Sequence, residues 1–419
     1  MTVETYDVIV VGAGAAGLMA GITAAERGAK VLVLDSQEKI GAKILVAGGG
    51  RCNVTNDFMD PSCFHSGSQA VVDRVLRAFD LEATLRFFES VGVPLKLEPE
   101  MGKYFPVSDS ARTVLEALLA TLGAAGADLR TGQAVTDLQP GELWTVRTVE
   151  AKYSAPAVIL STGGLALPKS GSTGAGYAFA GRLGHTLVRT TPALSPLLAN
   201  PPVHAGLSGI TLPVRLQWRD GETELAAYTG SFLFTHTGYS GPAALNISRH
   251  VARDRGEHPK ASVHMRLLPD VEEGAEGRFW DGLVRSSARK SVVYALADRL
   301  PRRVSEMVCD VARVPPGLPV GHVDGEARQR LLRALLDQRL PVAEVAGYTK
   351  AEATAGGIAL DEVEPATMMS RRAPGLFLAG EVLDVDGWLG GYNFQWAWSS
   401  GMVAGRAAAR WAKGRAPVG

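Results

Sequence analysis

A glycine-rich turn set between an apolar run and an alanine-rich stretch constrains this chain most. Gly12-Ala13-Gly14-Ala15-Ala16-Gly17 follows directly on the run Tyr6 to Val11. An uninterrupted apolar run is the pattern of a parallel strand covered on both faces, so the spacing predicts a strand over 6–11 and a helix opening at Ala15. A second strand follows at Val31 to Leu34 and ends in the acidic Asp35. Strand, turn, helix and strand make a unit of about 30 residues, the context in which a GxGxxG motif signals a dinucleotide. The first glycine permits the tight turn, the second lets backbone approach a pyrophosphate, and the third lets the helix pack closely. The helix N-terminus offers N–H donors and positive dipole to the phosphates. Gly12, Gly14, Ala15, Ala16 and Gly17 are therefore candidate cofactor-binding positions, and Asp35 is expected to accept from a ribose diol.

Two further buried strands end in glycine. Val158-Ile159-Leu160 leads into Ser161-Thr162-Gly163-Gly164, and Gly375 to Ala379 leads into Gly380-Glu381. Strands of one sheet thus come from both ends of the chain. Between them the pattern changes: apolar residues alternate from Thr211 to Phe234 around an Asp220-Gly221 turn, the period of antiparallel strands. From 251 to 345 the chain holds 16 basic and 14 acidic residues, with helical spacing in Arg328 to Leu340. Within that stretch Arg285, Arg289, Lys290, Arg299, Arg302 and Arg303 face only Asp298 in sequence, a local surplus of five positive charges. The fold class expected is α/β, a Rossmann-like cofactor domain over 1–190 and 346–419, with an inserted β-barrel domain over 191–267 and a helical insert over 268–345.

Composition narrows the function classes. Lys+Arg 43 against Asp+Glu 43 gives no net charge, which excludes a strongly basic nucleic-acid coat. Three cysteines, Cys52, Cys63 and Cys309, cannot supply a disulfide framework or a CxxC metal site, and no metal is expected. The first residues carry acids ahead of the first apolar run and no secretory pattern. The run Val8 to Ala25 is broken by Gly12, Gly14, Gly17 and Gly21, so no membrane association is expected and the location expected is cytoplasmic.

The first motif leaves FAD and NAD(P) open. At the other end Thr367, Pro374 and the strand into Gly380-Glu381 resemble the second FAD motif of two-dinucleotide-fold flavoproteins, in which an acidic residue holds the ribityl hydroxyls. That pattern has Asp where this chain has Glu381. Two longer tracts, Gly48-Gly49-Gly50-Arg51-Cys52-Asn53-Val54-Thr55-Asn56 and Asp386 to Trp398 with Gly390-Gly391-Tyr392-Asn393-Phe394-Gln395, resemble the BaiN/RdsA-type bacterial FAD-dependent oxidoreductases, the YhiN-like flavoproteins. Gly163 to Gly176, Phe234-Thr235-His236 and Ser240-Gly241-Pro242 extend the resemblance over nearly the full chain.

The resemblance implies FAD as cofactor and the inserted barrel and helical domains. It adds Lys43, Gly49, Gly50, Arg51, Cys52, Asn53, Val135, Thr162, Gly163, Gly164, Gly380, Glu381, Gly390, Gly391, Tyr392, Asn393 and Gln395 to the candidate cofactor-binding set. Arg51 is expected to grip the pyrophosphate as a fork donor. The helix starting near Asn393 is expected to aim its N-terminus at the flavin N1 and O2 edge. Cys52, Tyr392 and His236 are the candidate catalytic residues, Cys52 as an acid or redox-active thiol. NADH or NADPH is the expected reductant; because Gly174-Ala175-Gly176 meets Phe179 where a second fingerprint needs glycine, it is expected to dock at the flavin, or else another electron donor serves.

Substrates of the resembled family include conjugated enones of steroid type, small amino ketones and uridine in ribosomal RNA. Enone and uracil share a C=C bond conjugated to a carbonyl, which takes hydride at its β-carbon and a proton at its α-carbon. The tract Asp386 to Trp398 resembles the ribosomal branch of that family, which implies reduction of uridine to dihydrouridine in 23S rRNA or its precursor, with the basic segment 285–303 as a backbone contact. An enone reductase or amino-ketone oxidase acting on a small ketone is the first rival. A flavin-binding protein without turnover is the second.

Overall fold

The computed structural model describes residues 3–414; the two leading residues of the acidic N-terminal run and positions 415–419 lie outside the described residues. The chain forms two compact units, Met1–Thr191 with Glu352–Gly419, and Pro192–Ala351. In the first unit the elements that matter are β1 (Val8–Val11), α1 (Ala15–Ala25), β2 (Val31–Leu34), α2 (Ala42–Gly50), β3 (Lys103–Pro106), β4 (Ala157–Leu160), β5 (Ala353–Ile358), β6 (Leu376–Leu378) and α3 (Tyr392–Lys413).

A seven-stranded sheet forms its centre, in the order Val363–Glu364, Met369–Ser370, β6, β4, β1, β2, Asp128–Arg130. From β6 to Asp128–Arg130 the pairing is parallel; the two strands beyond β6 are antiparallel. All residues of β1, β2 and β4 are buried, as their unbroken apolar runs require. The expected helix at Ala15 starts there, while the first strand begins two residues later than expected.

One helix pairing locks the cofactor end of this sheet. A Cβ added at Gly401 of α3 would stand 2.4 Å from the Ala16 carbonyl oxygen, and one at Gly405 would stand 2.3 Å from that of Ala20. The two glycines are spaced by one helical turn, so α3 lies with its backbone against that of α1. Trp396 and Trp398 on the same helix are fully buried, their indole N–H groups donating to the Gly380 and Val54 carbonyls.

The second unit is built on a seven-stranded antiparallel sheet whose long hairpin, Thr211–Asp220 with Thr223–Phe234, turns at Gly221 as the alternation predicts. Helices at Glu276–Ser287, Val292–Leu296, Arg302–Ala312 and Gly325–Leu336 follow. The stretch read as helical to Leu340 leaves the helix at Leu336. Gln338–Arg339 and Val342–Val345 then return to the sheet as its two end strands. Sheet and helices therefore share one compact unit, Pro192–Ala351, where the sequence suggested two inserted domains.

Candidate cofactor and reductase site

Gly14 caps α1 with no side-chain bond and no acid follows in the first turn, so the leading N–H groups stay available to an anion. A Cβ at Gly17 would meet the Gly12 carbonyl oxygen at 1.8 Å, yet one at Gly14 would find no atom within 4 Å. Gly17 is thus the packing glycine and Gly14 faces open space, the division of labour a pyrophosphate needs. Asp35 clamps this loop: Ala13 N donates to Oδ2 at 2.7 Å and Gln37 N to Oδ1 at 2.8 Å. The same turn receives Gln133 N on the Asp35 carbonyl at 2.7 Å. That bond brings Val135, the start of strand Val135–Gln139, to the Asp35 end of the sheet.

Glu381 sits just beyond β6. Its Oε1 accepts from Thr354 N at 2.8 Å, and its Oε2 pairs with Lys43 on α2. Cβ atoms on Gly164 and Gly163 would stand 3.1 and 3.9 Å from the same carboxylate. Gly380 is tied to α3 through Ser400 Oγ at 2.9 Å and Trp396 Nε1 at 3.1 Å, and it packs on Ala16. Lys43, Gly163, Gly164, Gly380 and Glu381 are therefore brought together, at the carboxyl ends of the strands where open α/β sheets bind ligands.

Two buried oxygens here have no hydrogen-bond partner among the described residues, Asn53 Oδ1 and Thr162 Oγ1. Leaving such a group unpaired costs about 1–3 kcal/mol, and both belong to the segments assigned to a cofactor. Together with the space over Gly14 and over Gly49, whose added Cβ also meets nothing within 4 Å, they fit a group rich in hydroxyls and phosphates such as FAD.

Other candidates sit differently from expectation. Arg51 spends its fork on Glu98, at 2.5 and 3.5 Å, with Asp109 at 3.6 Å and its plane over Phe105 at 3.9 Å. The Glu98 carboxylate holds the guanidinium firmly protonated, and the fork expected on a pyrophosphate is already taken. Cys52 is fully buried, and burial alone pushes its thiol up to about 12, so it does not supply the thiolate that redox exchange needs. Tyr392 opens α3 with its ring edge-on to Phe64 and Trp388. Burial, then the neighbouring Cys63 thiol, holds its phenol well above the ordinary range. His236 is exposed in the bend between strands Thr223–Phe234 and Gly238–Ser240 of the second unit.

Asn393 and Gln395 are positioning residues. The Asn393 amide clasps both N and O of Gly387, at 2.9 and 3.0 Å. Gln395, fully buried, accepts from Thr55 at 2.7 Å and donates to the Phe79 carbonyl and to Ser399, each at 3.0 Å. These bonds fix the start of α3, whose Gly391 cap lies so close to Thr55 that a Cβ would stand 2.6 Å from its carbonyl. Gly390 is held by Asn56 Nδ2 at 2.9 Å on its oxygen.

Sequence reading missed Thr354, Lys103 and Glu352. Thr354 donates its amide N–H to Glu381, and its hydroxyl oxygen accepts from Leu165 N and Ala166 N. Lys103 reaches Gly390 only because β3 pairs with Thr55–Asn56, a pairing no motif announces.

The family model HI0933-like protein Rossmann domain matches residues 6–407. A 3-dehydro-bile acid delta(4,6)-reductase of Clostridium scindens is 35% identical over 403 residues, 96% of this chain and 98% of that protein. A ribosomal RNA dihydrouridine synthase of Escherichia coli is 32% identical over 401 residues, 95% and 96% of the two chains. Among solved structures, the open conformation of a flavocytochrome c3 fumarate reductase matches with a TM-score of 0.50 at 17% identity, covering 98% of this chain and 79% of that one; it shares the fold. With a matching sheet, fingerprint and full-length relatives, the chain belongs to the HI0933-like family, the group of the BaiN/RdsA-type proteins it resembles.

Proposed function

We propose that the chain is an FAD-dependent oxidoreductase that reduces a C=C bond conjugated to a carbonyl. The observation that carries this reading is the open space over Gly14 at the N-terminus of α1, with two buried oxygens, Asn53 Oδ1 and Thr162 Oγ1, left without a partner among the described residues. The α1 N-terminus and Gly14 hold the pyrophosphate, Asp35 the adenosine ribose, and Glu381 with Lys43 the ribityl chain. FAD, when bound and reduced, supplies hydride from N5. The N-terminus of α3, which has no side-chain cap, would stabilise negative charge on a reduced ring bound there by about 0.3–1 kcal/mol when exposed and up to about 2 when partly buried. NADH or NADPH is the electron donor in this reading.

Both full-length relatives named above act on such a bond by their names, and the finer reading takes uridine of 23S rRNA as substrate. One observation favours the small enone instead. Half of the basic segment's cations are paired: Arg299 with Asp270, Arg302 with Glu306 and Lys290 with Asp298, while Arg303 donates to the Gly206 carbonyl. Of the six cations, only Arg285, Arg289 and Arg303 have no ion pair among the described residues. Mass spectrometry of 23S rRNA from parent and deletion strains decides. Dihydrouridine lost in the deletion, and restored by wild type but not by Gly14→Glu, supports the RNA reading. Unchanged dihydrouridine overturns it and leaves the enone.

A further inference from the structure

Lys103 is a half-buried ammonium without an ion pair among the described residues. Its one side-chain hydrogen bond among the described residues goes to a thioether, Met101 Sδ, at 3.5 Å. The side chain runs along Gly390, with Cε 3.7 Å from where a Cβ on that glycine would stand. It is also rigidly based: β3 pairs Lys103 with Asn56, and Asn56 is the residue that holds the Gly390 carbonyl. Glu352 lies near enough to act on it electrostatically and makes no ion pair itself among the described residues; it stands two residues from Thr354, which holds Glu381. Burial lowers the Lys103 ammonium's affinity for its proton; Glu352 and then Glu98 raise it, and Arg51 lowers it. Glu352 itself is exposed, and the Lys103 ammonium favours its charged form.

A cation taken partly out of water without a carboxylate in contact is costly, and the position pays that cost beside the glycine pair that leads into α3. The other candidates for polarising a substrate are already engaged, since Tyr392 abuts Cys63, Cys52 is a buried thiol and Arg51 is held by Glu98. We propose that Lys103 is the electrophilic residue of the reductase site, its ammonium donating to the carbonyl oxygen conjugated with the bond being reduced.

This inference rests on the reductase reading and names the chemistry of that site. The β-carbon receives hydride, two electrons and one hydrogen, from the reduced cofactor, and the π electrons move through the α-carbon onto the carbonyl oxygen. Lys103 holds the charge that gathers there. The α-carbon then takes a proton from water, the C=O reforms, and the cofactor is left oxidised. The carbonyl of a steroid enone and the C4 carbonyl of uracil are equivalent in this role.

The test uses the full-length FAD-loaded protein, reduced with dithionite without oxygen, as wild type, Lys103→Met and Lys103→Arg. Reoxidation is followed with a steroid 4-en-3-one and with a 23S rRNA transcript. Separately, para-nitrophenolate, an anionic mimic of the charged oxygen, is titrated into the oxidised proteins and read by the flavin absorbance. Removing one such donor is expected to slow reoxidation by about 100-fold or more in Lys103→Met, with flavin content unchanged and phenolate binding weakened at least about tenfold; Lys103→Arg falls between. Equal reoxidation and equal phenolate binding in wild type and Lys103→Met overturn the assignment while the reductase reading stands. Wild type that neither probe reoxidises sinks the reductase reading and the assignment with it.

Discussion

Replacing Gln395 by leucine distinguishes a cofactor ligand from a residue that holds the fold. The amide is fully buried and every polar atom of it is used within the protein. In Gln395→Leu, Thr84 keeps its bond to the Asp80 carbonyl at 2.8 Å and Ser399 keeps the Phe79 carbonyl at 2.6 Å. Thr55 Oγ1 alone loses its acceptor, and an orphaned buried hydroxyl costs about 1–3 kcal/mol. The expected loss is therefore about 2 kcal/mol of unfolding free energy in the protein without FAD, measured by urea titration. Trp396 and Trp398, buried on the same helix, report the transition by fluorescence. FAD affinity should change by less than about tenfold, or 1.4 kcal/mol. Gln395→Glu adds a sign test. A carboxyl buried there without a cation has its folded pKa raised, so its folded state is favoured below the unfolded pKa and loses that support as pH rises through the folded one. Its urea midpoint should approach that of Gln395→Leu in acid and fall below it at neutral pH. Unchanged stability with FAD affinity reduced more than tenfold in Gln395→Leu would refute this reasoning and make the amide a ligand.

Gly14→Glu should fold with a normal urea midpoint, because its side chain enters open space, yet bind no FAD, seen as loss of the flavin spectrum on purification. Gly405→Val, whose Cβ meets the Ala20 carbonyl at 2.3 Å, should lose at least the 1–3 kcal/mol typical of overpacking, about a whole helix contact, read as a lowered midpoint or insoluble product. Cys52 should resist iodoacetamide at mildly alkaline pH in the folded protein and react once urea unfolds it, because its thiol is buried and pushed up to about 12; mass spectrometry of the labelled peptide decides. Lys43→Met should weaken FAD binding by roughly tenfold or less, as expected for a partly exposed ion pair, by freeing the Glu381 carboxylate from its cation.

What could be read from sequence was local. The first strand, the glycine turn, α1 and the second strand are coded within a few residues of one another, and the start of α3 is coded by Gly390-Gly391. Arg51 shows the limit. Its residue type and its place among glycines suit a phosphate, but Glu98 reaches it only through a hairpin whose strands Leu95–Glu98 and Lys103–Pro106 pair far downstream. Gln395 carries a cofactor-binding expectation because it lies in the resembled tract at the start of α3; its hydrogen-bond partners Thr55, Thr84 and Phe79 are more than 300 residues away in sequence. Lys103 carried no signal at all, since a lysine in a short strand reads as a solvated edge until the register with Asn56 is known.

The assembly of the cofactor cradle from remote segments has a single geometric cause. Register pairs Leu160 with Val11 on one side and with Leu378 on the other. The residues immediately beyond, Gly12, Ser161 and Ala379, are then forced abreast, and Ser161 N on the Val11 carbonyl at 2.9 Å and Ala379 N on that of Leu160 at 3.1 Å carry the pairing one step further. Each strand runs into glycine or a small residue at that line, so three apolar strands ending at the same level make a cleft floored by backbone N–H groups and by the first turn of α1. A slip of one residue in β4 would turn its buried side chains to the opposite face and carry Thr162, Gly163 and Gly164 out of line with Gly12 and Gly380. The strand that positions the site is therefore the one whose register both neighbours fix, and the glycine endings legible in the sequence mark the line along which the three segments meet.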